Sequence, residues 1–130
     1  MTEPYPRAAA AAVLAALVAG AVTAVATARP AAHAKLIGTV GKNDAYKISL
    51  ADASGKVVKT LKAGTYTVVI HDDSSIHNYE LDGPNGKSWT FTSVPFKGTK
   101  TFTLKLAAGA YKAYCKPHEK FMFQHFTVSA

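Results

Sequence analysis

The most reactive side chains of this sequence lie near its C-terminal end, where Cys115, His118 and Met122 occur at the spacing C-x2-H-x3-M. A thiol, an imidazole and a thioether therefore fall within eight residues. A loop between two strands can fold back and direct all three side chains to one point. His77 lies 38 residues earlier, on a different predicted strand, and a Greek-key connection can bring the end of that strand beside the loop. These four residues are candidates for a single metal site.

Two imidazoles, one thiolate and one thioether form the ligand set of a type 1 (blue) copper site. The sulfur ligands are soft and stabilise Cu(I), whereas imidazole binds both oxidation states of copper. Zinc fits this set less well, because structural zinc sites use several thiolates or a Cys2His2 set. The sequence therefore predicts one copper ion held by His77, Cys115, His118 and Met122.

Cys115 is the only cysteine, so the chain forms no internal disulfide. An unpaired cysteine in an exported protein indicates a reactive thiol, an intermolecular bridge or a metal ligand. The other polar candidates lack a matching motif. We expect His71 to be structural, His125 to face solvent, and the pair Asp72 and Asp73 to be a solvated turn that binds a cation weakly at most.

The elements that must position these residues are short strands separated by turns, and no stretch after residue 34 shows helical periodicity over three turns. This pattern predicts an all-β, antiparallel Greek-key sandwich or barrel of seven to eight strands. The predicted strands are residues 46–50, 57–61, 65–70, 76–81, 88–92, 99–106, 111–115 and 126–128.

The first 34 residues have the pattern of a secretory signal peptide. Arg7 precedes an uncharged, alanine-rich stretch over residues 8–28, and A-x-A sites end at Ala28 and Ala34. We therefore expect a signal helix over residues 1–34, a copper-binding domain over residues 35–130, and export to the periplasm or the extracellular space. The alternative is an uncleaved membrane anchor, since 21 uncharged residues are just long enough to span a bilayer.

The predicted domain is basic through lysine alone. Residues 35–130 contain 13 lysines and no arginine, against five Asp and two Glu, which gives a net charge of +6. Nucleic-acid binding usually draws on arginine, so we expect no nucleic-acid partner. A positive surface favours acidic or membrane-bound redox partners, and we expect the protein to be a monomer.

From about Thr65 to Val128 the sequence resembles the cupredoxins, the family of plastocyanin, azurin and amicyanin. The resemblance is carried by Ile76-His77-Asn78-Tyr79-Glu80-Leu81, Phe102-Thr103-Leu104, Gly109-Ala110-Tyr111, Tyr114-Cys115, and the loop from His118 to Met122 before Phe126-Thr127-Val128. One departure concerns the position two residues after the methionine, where the family usually has glycine and this chain has Gln124.

The resemblance implies a role for each residue of the motif. His77, Cys115, His118 and Met122 would be the copper ligands, and Asn78 would tie the two ligand loops together by hydrogen bonds. The ring edge of His118 would reach the surface, within an apolar collar that includes Pro117 and Phe121. By this reading the protein is a one-electron carrier and not an enzyme.

Two other functions are compatible with the same sequence. One is a copper-binding protein that sequesters or delivers the metal, and the other is a metal-free β-sandwich that acts as an interaction module. Multicopper oxidases and copper nitrite reductases need extra His ligands, usually paired as H-x-H, and more than one such domain, and we find neither in this sequence. A dinuclear copper centre needs two bridging cysteines, and the sequence has one.

Overall fold

The computed structural model describes residue 16 and residues 19–130. The chain divides into two units, Met1–Pro30 and Ala31–Ala130. In the first unit, residues 16 and 19–30 carry neither helix nor strand and are exposed. The predicted signal helix falls on residues 1–34, of which 1–15, 17 and 18 lie outside the described residues. Among the residues described, no helix has the length and apolar character to cross a membrane.

The second unit is built from strands, as predicted, in two mixed sheets. The described residues form nine strands, one or two more than predicted: β1 Ala34–Val40, β2 Ile48–Asp52, β3 Thr60–Lys62, β4 Gly64–Asp72, β5 Glu80–Asp82, β6 Ser88–Thr90, β7 Gly98–Leu106, β8 Gly109–Tyr114 and β9 Phe123–Ser129. The strand order is β2-β1-β4-β7 in one sheet and β3-β9-β8-β5-β6 in the other. Three short 3-10 helices cover Lys42–Asp44, Pro84–Gly86 and Lys116–His118.

Two strand pairs differ from the antiparallel arrangement that we expected. Strand β1 runs parallel to β4, with Leu36 opposite Val68, and β3 runs parallel to β9, with Leu61 opposite Val128. The other named pairs are antiparallel. Because a parallel pair joins segments that are far apart in the chain, neither strand alone carries a pattern that distinguishes it from an antiparallel partner.

The core fills the space between the sheets with alternating inward residues of both. Its largest fully buried side chain is Tyr79, whose hydroxyl donates a hydrogen bond to Ser49 O at 2.8 Å. Gly38 makes room for this ring: a Cβ at residue 38 would lie 2.8 Å from the Tyr79 ring and 2.5 Å from Ile70 Cδ1. A glycine in the middle of β1 is thus required by packing, although it weakens the strand pattern in the sequence.

Three predicted strands begin later than expected, and one of them is β3, which begins at Thr60 and not at residue 57. Strand β2 begins at Ile48, so Tyr46 lies outside it, and β5 begins at Glu80, so His77 lies in the connection after β4. The alternation of Tyr46-Lys47-Ile48 resembles a strand, but the segment 41–47 is a closed loop in which Gly41 N donates to Lys47 O at 3.1 Å. The later starts of β2 and β5 place Tyr46 and the candidate ligand His77 in loops and not in strands.

Candidate metal centre

His77 is held in place by a tight turn that follows β4. Asp72, the last residue of β4, accepts a hydrogen bond from Ser74 N through Oδ1 at 3.3 Å, and His77 N donates to Ser74 O at 3.4 Å. Two residues later, Tyr79 N donates to Thr92 Oγ1 at 2.9 Å. These bonds fix the backbone on both sides of His77, and its imidazole is fully buried.

The other candidate ligands lie on one compact loop between β8 and β9. Cys115 N donates to Met122 O at 3.1 Å, and Met122 N donates to His118 O at 2.9 Å. His118 N in turn donates to Cys115 O at 3.1 Å, across a 3-10 turn that contains Pro117. The backbone itself therefore holds the three residues together, and the side chains of Cys115 and Met122 are buried.

Three donor atoms converge between the turn and the loop. His77 Nδ1 lies 3.1 Å from His118 Nδ1, and the Cys115 sulfur lies 3.7 Å and 3.6 Å from these two nitrogens. A point equidistant from three atoms with these separations is about 2.0 Å from each, close to metal–ligand bond lengths, which for zinc are about 2.0–2.1 Å to imidazole and about 2.3 Å to thiolate. The geometry is that of a preformed metal site.

The types of donor select the metal that this site fits. Within the described part of the chain, His77, Cys115 and His118 are the group of His, Cys or acidic residues that converges in this way. Met122 follows on the same closed loop and is 1 % exposed. A single thiolate with two imidazoles and a thioether is the donor set of type 1 copper, and it offers too few thiolates for a structural zinc site. The cluster therefore fits one type 1 copper ion, as predicted.

Burial changes the protonation of the site when no metal is bound. It raises the pKa of the Cys115 thiol, although the backbone N–H groups of Asn78 and His118 oppose the rise. Burial also lowers the pKa of His77, and the neighbouring His118 adds to that effect. At neutral pH His77 is thus already in the form that binds a metal, whereas Cys115 must lose a proton to do so.

Asn78 connects the turn that carries His77 to the loop that carries Cys115. Its Oδ1 accepts a hydrogen bond from Lys116 N at 2.8 Å, and its Nδ2 donates to Glu80 Oε1 at 2.9 Å. Glu80 is fixed in turn, because its Oε2 accepts a bond from Thr90 Oγ1 at 2.7 Å. The side chain of Asn78 thus joins the two ligand segments by hydrogen bonds.

The predicted surface residues lie around the ring of His118. The His118 side chain is half-buried, Pro117 is exposed, and the ring of Phe121 is 61 % exposed with its centroid 5.7 Å from that of His118. The sequence analysis missed Tyr46, whose ring packs edge-on against both imidazoles, with centroid distances of 4.9 Å to His77 and to His118. Nothing local in the sequence marks Tyr46, because it reaches the ligands only through the folding of its loop.

The remaining polar candidates stay outside the cluster. His71 Nδ1 lies 3.0 Å from Thr99 Oγ1 on the neighbouring strand, and the exposed His125 packs against Phe123. The prediction that Asp72 is solvated is wrong: the residue is fully buried between Val40 and Gly98, and burial raises its pKa. Within the described residues, Asp72 Oδ2 and His77 Nε2 are buried polar atoms without a hydrogen-bond partner.

Comparison with solved structures decides the fold family. Reduced rusticyanin aligns with 73 % of this chain and 78 % of its own, at 19 % identity and a TM-score of 0.52. Rusticyanin from Thiobacillus ferrooxidans aligns at 19 % identity and a TM-score of 0.50, and covers 73 % of this chain and 76 % of its own. The chain has the cupredoxin fold. A third structure, described as that of the copper protein rusticyanin, aligns at 18 % identity and a TM-score of 0.52, with coverages of 73 % and 76 %.

At this level of identity the structures establish the cupredoxin fold and leave the function to the site itself. No family model matches the sequence, and no curated protein matches it. The donor atoms at the end of the sandwich therefore carry the functional argument.

Proposed function

We propose that this chain is a mononuclear type 1 copper protein that carries single electrons between extracytoplasmic redox partners. The observation that carries the proposal is the convergence of His77 Nδ1, His118 Nδ1 and the Cys115 sulfur to within 3.1–3.7 Å at one end of a cupredoxin fold. Copper, when bound, supplies a centre that gains or loses one electron. His77, Cys115, His118 and Met122 would hold it.

The hydrogen bonds around the site favour electron transfer because they restrict ligand movement. Main-chain bonds close the loop from Cys115 to Met122, and the turn at Ser74 fixes His77. Asn78 keeps the two segments in register through its bond to Lys116 N. A site whose ligands stay in place has little to reorganise when its charge changes by one unit. Under this proposal the protein is an electron carrier and not a catalyst.

We further propose that electrons enter and leave near His118, whose ring lies between the buried sulfur and the surface. Pro117 and Phe121 would form the apolar collar against which a partner packs. The lysine-only basicity of residues 35–130 supports acidic redox partners and argues against nucleic acid. Residues 1–34 would direct export, and residues 35–130 would form the working domain of a monomer in the periplasm or outside the cell.

Voltammetry of the copper-loaded chain, combined with copper transfer to a chelator, tests the carrier role. An electron carrier should cycle reversibly between Cu(I) and Cu(II) and should retain its metal over many cycles. Rapid loss of Cu(I) to the chelator, with slow and irreversible cycling, would instead indicate copper delivery. If copper leaves the melting temperature unchanged, the protein does not bind it in the native state, and both copper functions are refuted.

A further inference from the structure

The segment from Gly41 to Lys47 forms a closed loop that positions one aromatic ring. Asp44 N donates to Gly41 O at 2.9 Å, and Gly41 N donates to Lys47 O at 3.1 Å. Asn43 and Asp44 both have positive φ angles, of 55° and 57°, a left-handed conformation that is uncommon for non-glycine residues and that Asn and Asp adopt most readily. In this loop Tyr46 is 52 % exposed, and its ring also packs against two candidate copper ligands.

Beside this ring lies a groove of about 580 Å³, which we call the Tyr46 groove. The buried Met122 is one of its lining residues, so the groove adjoins a candidate copper ligand. Its other lining includes an apolar group and two positive charges, namely Tyr46, Ile48, Phe121, Phe123, Lys42 and Lys47.

The charged residues that line the groove are all positive. No carboxylate is among its lining residues. Asp44 belongs to the same loop but does not line the groove, and Glu119, on the copper-ligand loop, is paired with Lys112 at 2.8 Å. That pair is the salt bridge found among the described residues, so the ammonium groups of Lys42 and Lys47 are free to meet charges from outside.

We infer that the Tyr46 groove is the docking surface for an acidic redox protein. Carboxylates of the partner would lie against Lys42 and Lys47, while an apolar side chain would pack on Tyr46 and Phe123. We choose an acidic protein as the partner because its charge complements that of the groove. The role of the contact in electron transfer rests on the proposed electron-carrier function. A partner bound in the groove would contact Tyr46, whose ring packs against both candidate ligand imidazoles. Only the ring of Tyr46 would then separate the partner from these two imidazoles.

The first test maps anion binding on the copper-free protein, and its outcome does not depend on the proposed function. Hexacyanochromate(III), a paramagnetic trianion that is not reduced under these conditions, is titrated while amide NMR signals are followed. We expect selective broadening at Tyr46, Ile48 and Phe123, and its loss in the double variant Lys42→Gln/Lys47→Gln. The matched control is Lys105→Gln, because Lys105 pairs with Thr65 at the opposite end of β4 from Asp72. Even broadening over the whole surface, or equal effects of the two sets of variants, would overturn the inference.

The second test measures electron transfer from the reduced, copper-loaded protein to hexacyanoferrate(III). The protein gives up one electron, the reagent becomes hexacyanoferrate(II), and no proton moves. With a trianion about 8 Å from a removed positive charge, Coulomb attraction screened at 0.1 M salt predicts a rate about threefold lower for each lysine removed. Lys105→Gln should stay within about 1.5-fold of the wild type, since its charge lies beyond a Debye length. A groove variant that reacts as fast as this control would contradict the docking role.

Discussion

Gln124, the residue that departs from the usual glycine of the family, joins the two sheets next to the metal loop. It lies on β9, two residues after Met122, and its side chain reaches across to β2 of the other sheet. Leu50 N donates to Gln124 Oε1 at 2.8 Å, and Gln124 Nε2 donates to Leu50 O at 3.1 Å and to Val58 O at 2.9 Å. The carboxamide thus takes the place of a neighbouring strand along the edge of β2.

Replacing Gln124 by alanine should therefore destabilise the domain by about 2–3 kcal/mol. Each hydrogen bond contributes about 0.5–1.5 kcal/mol net, and three are lost. Leu50 O keeps the bond from Val58 N at 2.9 Å, but Leu50 N loses its partner in a half-buried position. For a domain of about this size, 1 kcal/mol corresponds to roughly 4–8 °C, so we expect the melting temperature to fall by about 10–20 °C.

Thermal unfolding of the copper-free chain, followed by circular dichroism, measures this effect without any contribution from metal binding. His125→Ala, on the exposed face of the same strand, is the matched control and should shift the transition far less. Gln124→Glu should also destabilise at neutral pH, because a carboxylate would face two carbonyl oxygens, and it should recover partly in acid as it becomes a donor again. A fall of less than about 3 °C for Gln124→Ala would refute the bridging role, since three bonds predict several times more.

Three further predictions concern the metal site. Asn78→Ala should lower the stability of the copper-free chain by about 1–3 kcal/mol in urea unfolding, because Lys116 N loses its acceptor. Asn78→Asp keeps that acceptor but loses the donor to Glu80 Oε1, so it should be destabilised as well at neutral pH. Equal stability of Asn78→Ala and wild type would contradict this prediction. Because burial raises the pKa of Cys115, copper binding must release the thiol proton. At pH values below that pKa, the dissociation constant for copper should therefore fall about tenfold for each unit of increase in pH. A competition titration that shows no pH dependence would be inconsistent with thiolate ligation. Gly41→Ala should weaken copper binding more than Gly55→Ala does. Both glycines have a positive φ angle, but only at residue 41 would a Cβ approach the His77 ring, at 2.9 Å. Equal copper affinities of the two variants would show that this contact is unimportant.

The sequence predicted the end of the chain better than its beginning. The strands expected over residues 65–70, 99–106 and 126–128 all lie within observed strands, because alternation and β-branched residues are local signals. The convergence of Cys115, His118 and His77 was also predicted, because the types of donor and their spacing can be read directly from the sequence. Residues before Thr65 were harder, because β1 contains Gly38, whose reason is the distant ring of Tyr79.

Features that depend on packing between distant parts of the chain could not be predicted from the sequence. The contacts of Tyr46 with two imidazoles depend on the backbone of its loop, where Asn43 and Asp44 take positive φ angles. Asn and Asp are typical of turns, but their presence does not predict where the ring of Tyr46 will lie. The burial of Asp72 escaped for the same reason: two adjacent acidic residues resemble a solvated turn until the pairing of β4 with β1 and β7 places the first one inside.

The visible absorption spectrum of the purified chain after addition of Cu(II) tests the central claim most directly. If His77, His118 and the Cys115 sulfur hold one copper ion as their geometry indicates, the wild type should show an intense thiolate-to-copper charge-transfer band. Cys115→Ser should abolish that band, while His71→Ala, outside the cluster, should retain it. A wild-type spectrum without the band, or an unchanged band in Cys115→Ser, would contradict the type 1 copper site.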